Sequence, residues 1–232
     1  MTSLSKNARL AGLLYILASV VGIVRLMYVP GKLFVEGDAA ATANRIVAYE
    51  SLFRWGIVSQ LVAAVLWLFV PLALYRLLEP VGHRLAVLMV ILGSFMIVPL
   101  FFVNAANDVA ALFFARGADF LAIFDKPQRE AFASLFLNLH YHIDLANMIF
   151  WGLWLVPYGL LVYRSRFLPR VLGAWLVIAC FGWLALSFTG FLFPAYADKV
   201  YHVTKPLVLG EAVTMLWLAI VGAKEKLQAA AA

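Results

Sequence analysis

Six stretches of this chain run for about 20 residues or longer with hardly a charge among them, and few environments accept such segments. They cover residues 8–28, 52–78, 85–115, 131–163, 171–193 and 206–223. A helix of about 20 apolar residues rises about 30 Å, the thickness of a bilayer's hydrocarbon core. Of the 232 residues, 65% are hydrophobic and 13% charged, against roughly 25% charged in a soluble domain. A soluble chain of this length exposes much of its surface and here would lack the polar side chains to cover it. Lipid removes the conflict. With no water in the hydrocarbon, each crossing segment must satisfy its own backbone as a helix. The expected fold class is all-α, a polytopic membrane bundle of about six transmembrane helices. Residues 1–228 are read as one six-helix domain, and the Ala229–Ala232 run as a disordered tail or cloning scar.

The breaks between segments are explicit. Pro30-Gly31 closes the first, Glu79-Pro80-Val81-Gly82 parts the second from the third, and Lys126-Pro127-Gln128 precedes the fourth. Arg166-Phe167-Leu168-Pro169-Arg170 precedes the fifth, and Lys205-Pro206 opens the sixth. Pro71, Pro99 and Pro157 fall inside segments, where each removes a backbone hydrogen bond and is expected to kink its helix. Between the first two segments, Asp38 is suited to cap a short helix over residues 39–49, expected to lie at the outer membrane surface. The first segment is too long for a signal-peptide core and no small-residue cleavage site follows it, so it is read as a retained helix.

Loop charge sets the expected orientation. One side carries Lys6, Arg9, Arg76, Arg84, Arg164, Arg166, Arg170, Lys224 and Lys226, nine basic residues against Glu79 and Glu225. The other carries eight basic and seven acidic residues. The acid-free arginine loop at 164–170 places both termini in the cytoplasm, with the chain in the cytoplasmic membrane of a bacterium. This distribution also explains the net charge of +6 without a nucleic-acid partner. The single cysteine, Cys180, excludes an internal disulfide and any CxxC motif. No GxxxxGK[ST], GxGxxG or GxSxG pattern is present, so nothing points to nucleotide or serine-hydrolase chemistry.

Polar residues inside the apolar segments carry the functional signal, because they are costly in lipid and usually face the protein interior. They are Arg25; Arg54 and Gln60; Asn104, Asn107 and Asp108; Asn138, His140, His142, Asp144 and Asn147; Ser187 and Thr189; Glu211 and Thr214. With six alternating crossings all of them fall toward one side, the outer one. Asn104, Asn107 and Asp108 share a helix face at i, i+3, i+4, and His140, Asp144 and Asn147 share one at i, i+4, i+7. Asn138 and His142 point the other way. The expectation is a polar pocket open to the outer side, with Arg25, Asn104, Asp108, His140, Asp144, Asn147 and Glu211 as candidate ligand-binding residues. A small polar or lipid ligand suits it best. An alternative is a membrane-embedded metal-dependent hydrolase with Asp108, His140, Asp144 and Glu211 around a divalent metal. The purely structural alternative pairs Arg25 with Asp108 or Glu211, and His140 with Asn104. No cofactor is required, and a haem would need His140 or His142 together with His202.

Several stretches resemble a known family. They are Ala8-Arg9-Leu10-Ala11-Gly12-Leu13-Leu14-Tyr15, Gly37-Asp38-Ala39-Ala40-Ala41-Thr42-Ala43 and Leu52-Phe53-Arg54-Trp55-Gly56-Ile57-Val58. Phe136-Leu137-Asn138-Leu139-His140, Phe167-Leu168-Pro169-Arg170-Val171-Leu172-Gly173, Ser187-Phe188-Thr189 and Gly210-Glu211 ahead of Leu216-Trp217-Leu218 follow. The chain resembles the bacterial membrane-protein family called domain of unknown function 4386 over nearly its whole length. The resemblance implies a polytopic membrane architecture and no activity. The chain departs from it at Leu92-Gly93-Ser94-Phe95, where a more polar segment is expected, and at His142 and Asp144.

Overall fold

Long uncharged runs leave the backbone no partner but itself, and the chain folds accordingly. The computed structural model describes residues 3–224 and contains no strand among them. In chain order the elements are α1 (Ser3–Leu33), the short α2 (Ala39–Ala48), α3 (Glu50–Val81), α4 (His83–Arg116), α5 (Lys126–Ser165), α6 (Arg170–Leu192) and α7 (Pro194–Ile220). All except α2 are long and apolar enough to cross a membrane, which makes six candidate spans. At most 56% of a span's most apolar window is buried within the protein, and as little as 22% in α7. The remainder faces outward, as Leu10, Leu13, Leu17 and Val20 do along α1. Lipid is the environment in which such surface is stable. The Ala229–Ala232 run, with Glu225 and Lys226, lies outside the described residues.

Local chemistry explains the boundaries. Asp38 caps α2, its Oδ1 accepting from the Ala41 amide at 2.8 Å. The Thr42 hydroxyl, which accepts from the Val35 amide at 2.9 Å, ties α2 to the chain before it. Lys126-Pro127-Gln128 forms the first turn of α5 instead of preceding it. Proline is tolerated there because first-turn amides have no helical acceptor. Asp125 and Gln128 close that end reciprocally, each side chain accepting from the other's amide at 2.8 and 3.0 Å. Pro206, expected to open the last helix, lies inside it. It cannot donate to the His202 carbonyl, but both residues are exposed, so the lost bond is not sealed inside the protein.

The internal prolines divide. The helix α4 passes through a π turn at Ile91–Phe95 and resumes regular geometry only at Val98, and α5 is interrupted at Trp154. The irregular stretch of α4 ends two residues ahead of Pro99, and the break in α5 falls three ahead of Pro157, where the ring crowds the preceding turn. Pro71 leaves α3 continuous.

The described residues group into two compact units, each drawn from separated parts of the chain. The first comprises the described parts of 1–17, 66–97 and 145–232. Its helices approach through glycine: a Cβ on Gly173 would lie 2.5 Å from the Gly159 carbonyl oxygen, and one on Gly12 would lie 2.4 Å from the Ala219 nitrogen. Tyr15, Trp67 and Trp154 pack edge to face or tilted, with centroids 5.2–5.9 Å apart. The second unit comprises 18–65 and 98–144. Val29, Leu33, Ile46, Phe53 and Leu112 form its apolar core.

Candidate functional site

The second unit holds a closed ionic network. Arg25 lies where α1 widens into a π turn, Val24–Tyr28, a geometry frequent at functional positions. Gly56 of α3 makes the room, since a Cβ there would come within 2.8 Å of Val29 and 3.4 Å of the Arg25 stem. The guanidinium grips Asp108 of α4 as a fork, Nε to Oδ2 at 2.6 Å and Nη2 to Oδ1 at 2.5 Å. Phe34 and Phe53 present their rings to its faces, with centroids 5.5 and 6.0 Å from Cζ. His140 of α5 brings Nδ1 to 2.9 Å from Asp108 Oδ1 and 3.1 Å from Arg25 Nη2. One turn on, Asp144 Oδ2 lies 3.3 Å from His140 Nε2. Asn104 completes the circuit, its Nδ2 donating to Asp144 Oδ1 at 2.8 Å and to the His140 carbonyl at 3.3 Å. Arg25, Asn104, Asp108 and His140 are all at most 4% exposed.

This arrangement can hold one exchangeable proton. With Nδ1 bare, His140 accepts from Arg25 and donates from Nε2 to Asp144. The network then carries one net negative charge: Arg25 positive, Asp108 and Asp144 negative. With Nδ1 protonated, the ring donates to both carboxylates and the charges cancel. The two states differ in the partner of Nδ1, which accepts from Arg25 in one and donates to Asp108 in the other.

The sequence candidates sort into two groups. Arg25, Asn104, Asp108, His140 and Asp144 come together as described. Asn147 and Glu211 belong to the first unit. Glu211 accepts there from the Tyr15 hydroxyl and from Trp183 Nε1, the latter at 3.2 Å. Asn147 is fully buried, and neither amide atom of its side chain has a hydrogen-bond partner. Asn138 and His142 face away from the network; both are exposed, and the imidazole Nδ1 of His142 lies 2.8 Å from the Asn138 carbonyl. Among the described residues no group of three or more His, Cys, Asp or Glu side chains is placed to hold a metal ion. Arg25 occupies both oxygens of Asp108 with its fork. Glu211 is engaged by its own donors.

Sequence reasoning missed the Glu211 partners. Tyr15 and Trp183 are ordinary interface aromatics by type, and nothing in their spacing marks them as donors to a carboxylate. It also passed over Gln60 as a site residue. Gln60 donates to the Phe101 carbonyl at 3.4 Å, one turn before Asn104, and its Oε1 is buried without a partner. Asn104 Oδ1 and Asn107 Nδ2 are likewise buried and unpartnered.

Six apolar helices with ionisable groups enclosed among them define a multi-pass membrane protein. The chain belongs to the family called domain of unknown function 4386, whose model matches residues 10–222. An uncharacterised protein of Archaeoglobus fulgidus is 32% identical over 173 residues, 73% of this chain and 85% of that protein. No solved structure matches the chain.

Proposed function

We propose that this protein binds a small polar ligand at the Arg25–Asp108–His140–Asp144 network, from the outer side of a cytoplasmic membrane. The observation that carries the reading is a set of buried polar atoms left unpaired in the same unit: Asn104 Oδ1 within the network, Asn107 Nδ2 next to Asp108 in sequence, and Gln60 Oε1, whose amide donates to the Phe101 carbonyl one turn before Asn104. An orphaned buried donor or acceptor costs about 1–3 kcal/mol, so each of the three would gain from a bound partner. They supply two acceptors and a donor, beside a histidine that can give or take a proton. The low exposure of the network restricts the ligand to a small molecule.

Native mass spectrometry of the detergent-released protein, with elemental analysis of the same sample, tests this. The expected result is a stoichiometric small-molecule adduct that disappears in Asn104→Leu. A bare chain would leave the network as structural glue between helices and sink the binding reading. A transition metal lost in Asp108→Asn would replace it with metal-assisted hydrolysis.

The outer placement follows from the arginine loop at 164–170 and has its own test. In a Cys180→Ala background, Arg164→Cys is expected to react with a membrane-impermeant maleimide only after cells are permeabilised. Labelling of intact cells would invert the topology.

A further inference from the structure

A second site, separate from the buried network, stands out in the same unit. A cavity of about 340 Å³ lies between α2 and the ends of α4 and α5, lined by Asn44, Val47 and Ala48, by Phe114, Ala115 and Arg116, and by Lys126, Arg129 and Glu130. Its volume is in the range of small-ligand pockets, about 300–1,000 Å³. Three cations and one acid line it, an excess of two positive charges. Arg116 pairs with Glu50 at 3.3 Å, and Lys126 with Glu130 at 3.7 Å. Arg129 differs: its Nη1 donates to the Phe124 carbonyl at 3.3 Å, and among the described residues no carboxylate pairs with it. Gly117 lets it lie there: its φ of +67 is open mainly to glycine, and a Cβ would stand 3.0–3.2 Å from the Arg129 guanidinium. The other walls, Val47, Ala48, Phe114 and Ala115, are apolar. Tyr49, Phe120 and Ile123, close in sequence to residues of the lining, are exposed by 60%, 70% and 87%, as suits side chains dipping into the headgroup region.

We propose that this cavity binds the phosphate group of an amphiphilic ligand, with Arg129 as the principal anchor and Lys126 and Arg116 completing the charge. Guanidinium matches phosphate oxygens with two parallel hydrogen bonds, and the excess positive charge of the lining suits an anionic headgroup. The apolar wall and the exposed rim favour a phospholipid as the source over a soluble phosphate ester.

The test uses the full chain in dodecyl maltoside, titrated with dihexanoyl phosphatidylglycerol and, separately, inorganic phosphate, with adducts counted by native mass spectrometry. Arg129→Gln is expected to weaken phosphatidylglycerol binding about tenfold or more, the loss of one charge-assisted fork. Lys126→Gln, on a side chain 67% exposed and so safe for folding, is expected to weaken it by a smaller factor. Arg164→Gln, an exposed arginine of the first unit, is the control for nonspecific charge and should leave binding unchanged. Competition by inorganic phosphate at comparable concentration would keep the site and assign it to soluble phosphates. Absence of binding, or equal binding by wild type, Arg129→Gln and Lys126→Gln, would overturn the proposal. The ligand at the buried network is read with Asn104→Leu, so the two sites fail independently.

Discussion

Asp108→Ala is expected to destabilise the protein by about 3–5 kcal/mol, because removing one partner leaves a buried charge uncompensated. The carboxylate is fully buried, and it accepts from Arg25 twice and lies beside His140. Alanine would leave the guanidinium with only the two phenylalanine faces and the His140 nitrogen, in a place water does not reach. The paired replacement Arg25→Met with Asp108→Leu is expected to recover most of the loss, since apolar groups of similar volume often substitute for a buried ion pair at little cost. Thermal denaturation in detergent reads both. If Asp108→Ala costs under about 1 kcal/mol, the range of an exposed pair, the network is hydrated and the enclosed site described above does not exist.

Gly173→Val is expected to be among the most damaging substitutions at an apolar contact. The added carbon would meet backbone on the facing α5, the Gly159 carbonyl oxygen and the Tyr163 nitrogen, each at 2.5 Å. No rotamer relieves a clash with backbone, so the helices must part along their contact. Overpacking a core costs about 1–3 kcal/mol and occasionally more; this site belongs at or above the top of that range. Close helix approach through small residues is the main source of association energy in lipid, where the hydrophobic effect is absent. Gly31→Ala is the matched control. Nothing lies within 4 Å of its Cβ position, and the change is expected to be neutral or to stabilise by up to about 1 kcal/mol through helix propensity. Yield of monodisperse protein and melting temperature read the pair. Equal behaviour of the two variants would mean that the α5–α6 contact is not a close one.

The two glycines most tightly placed against backbone, Gly12 and Gly173, both stand three residues after an arginine, Arg9 and Arg170. Each of those short motifs is visible in the sequence and carries part of the family resemblance. Their purpose is not, since a glycine's role depends on what faces it, and the facing residues, Ala219 and Gly159, are distant in sequence or on another helix. The kinks show the same limit. Three prolines were equally legible, yet only Pro99 and Pro157 coincide with interrupted helices, because a proline's effect depends on whether neighbouring helices can absorb the displaced turn.

Segment length and apolarity by themselves determined the helix count, since backbone without water can only hydrogen-bond to itself. The cap at Asp38 was equally local, a matter of one side chain and an amide three residues on. The i, i+4 spacing of His140 and Asp144 determined that they meet, because that offset returns to the same face of any α-helix. Only the tertiary structure decided which charges pair across helices. Arg25 had Asp108 and Glu211 as candidate partners of the same chemistry at similar depth. Its choice of Asp108, and the delivery of Glu211 to Tyr15 and Trp183, depend on the rotation of each helix about its axis. The cavity of Arg116, Lys126 and Arg129 was hidden for the same reason: those residues read as loop charge until α2 is set against the ends of α4 and α5. Rotation and docking are fixed by packing among side chains remote in sequence, and one-dimensional periodicity carries no term for it.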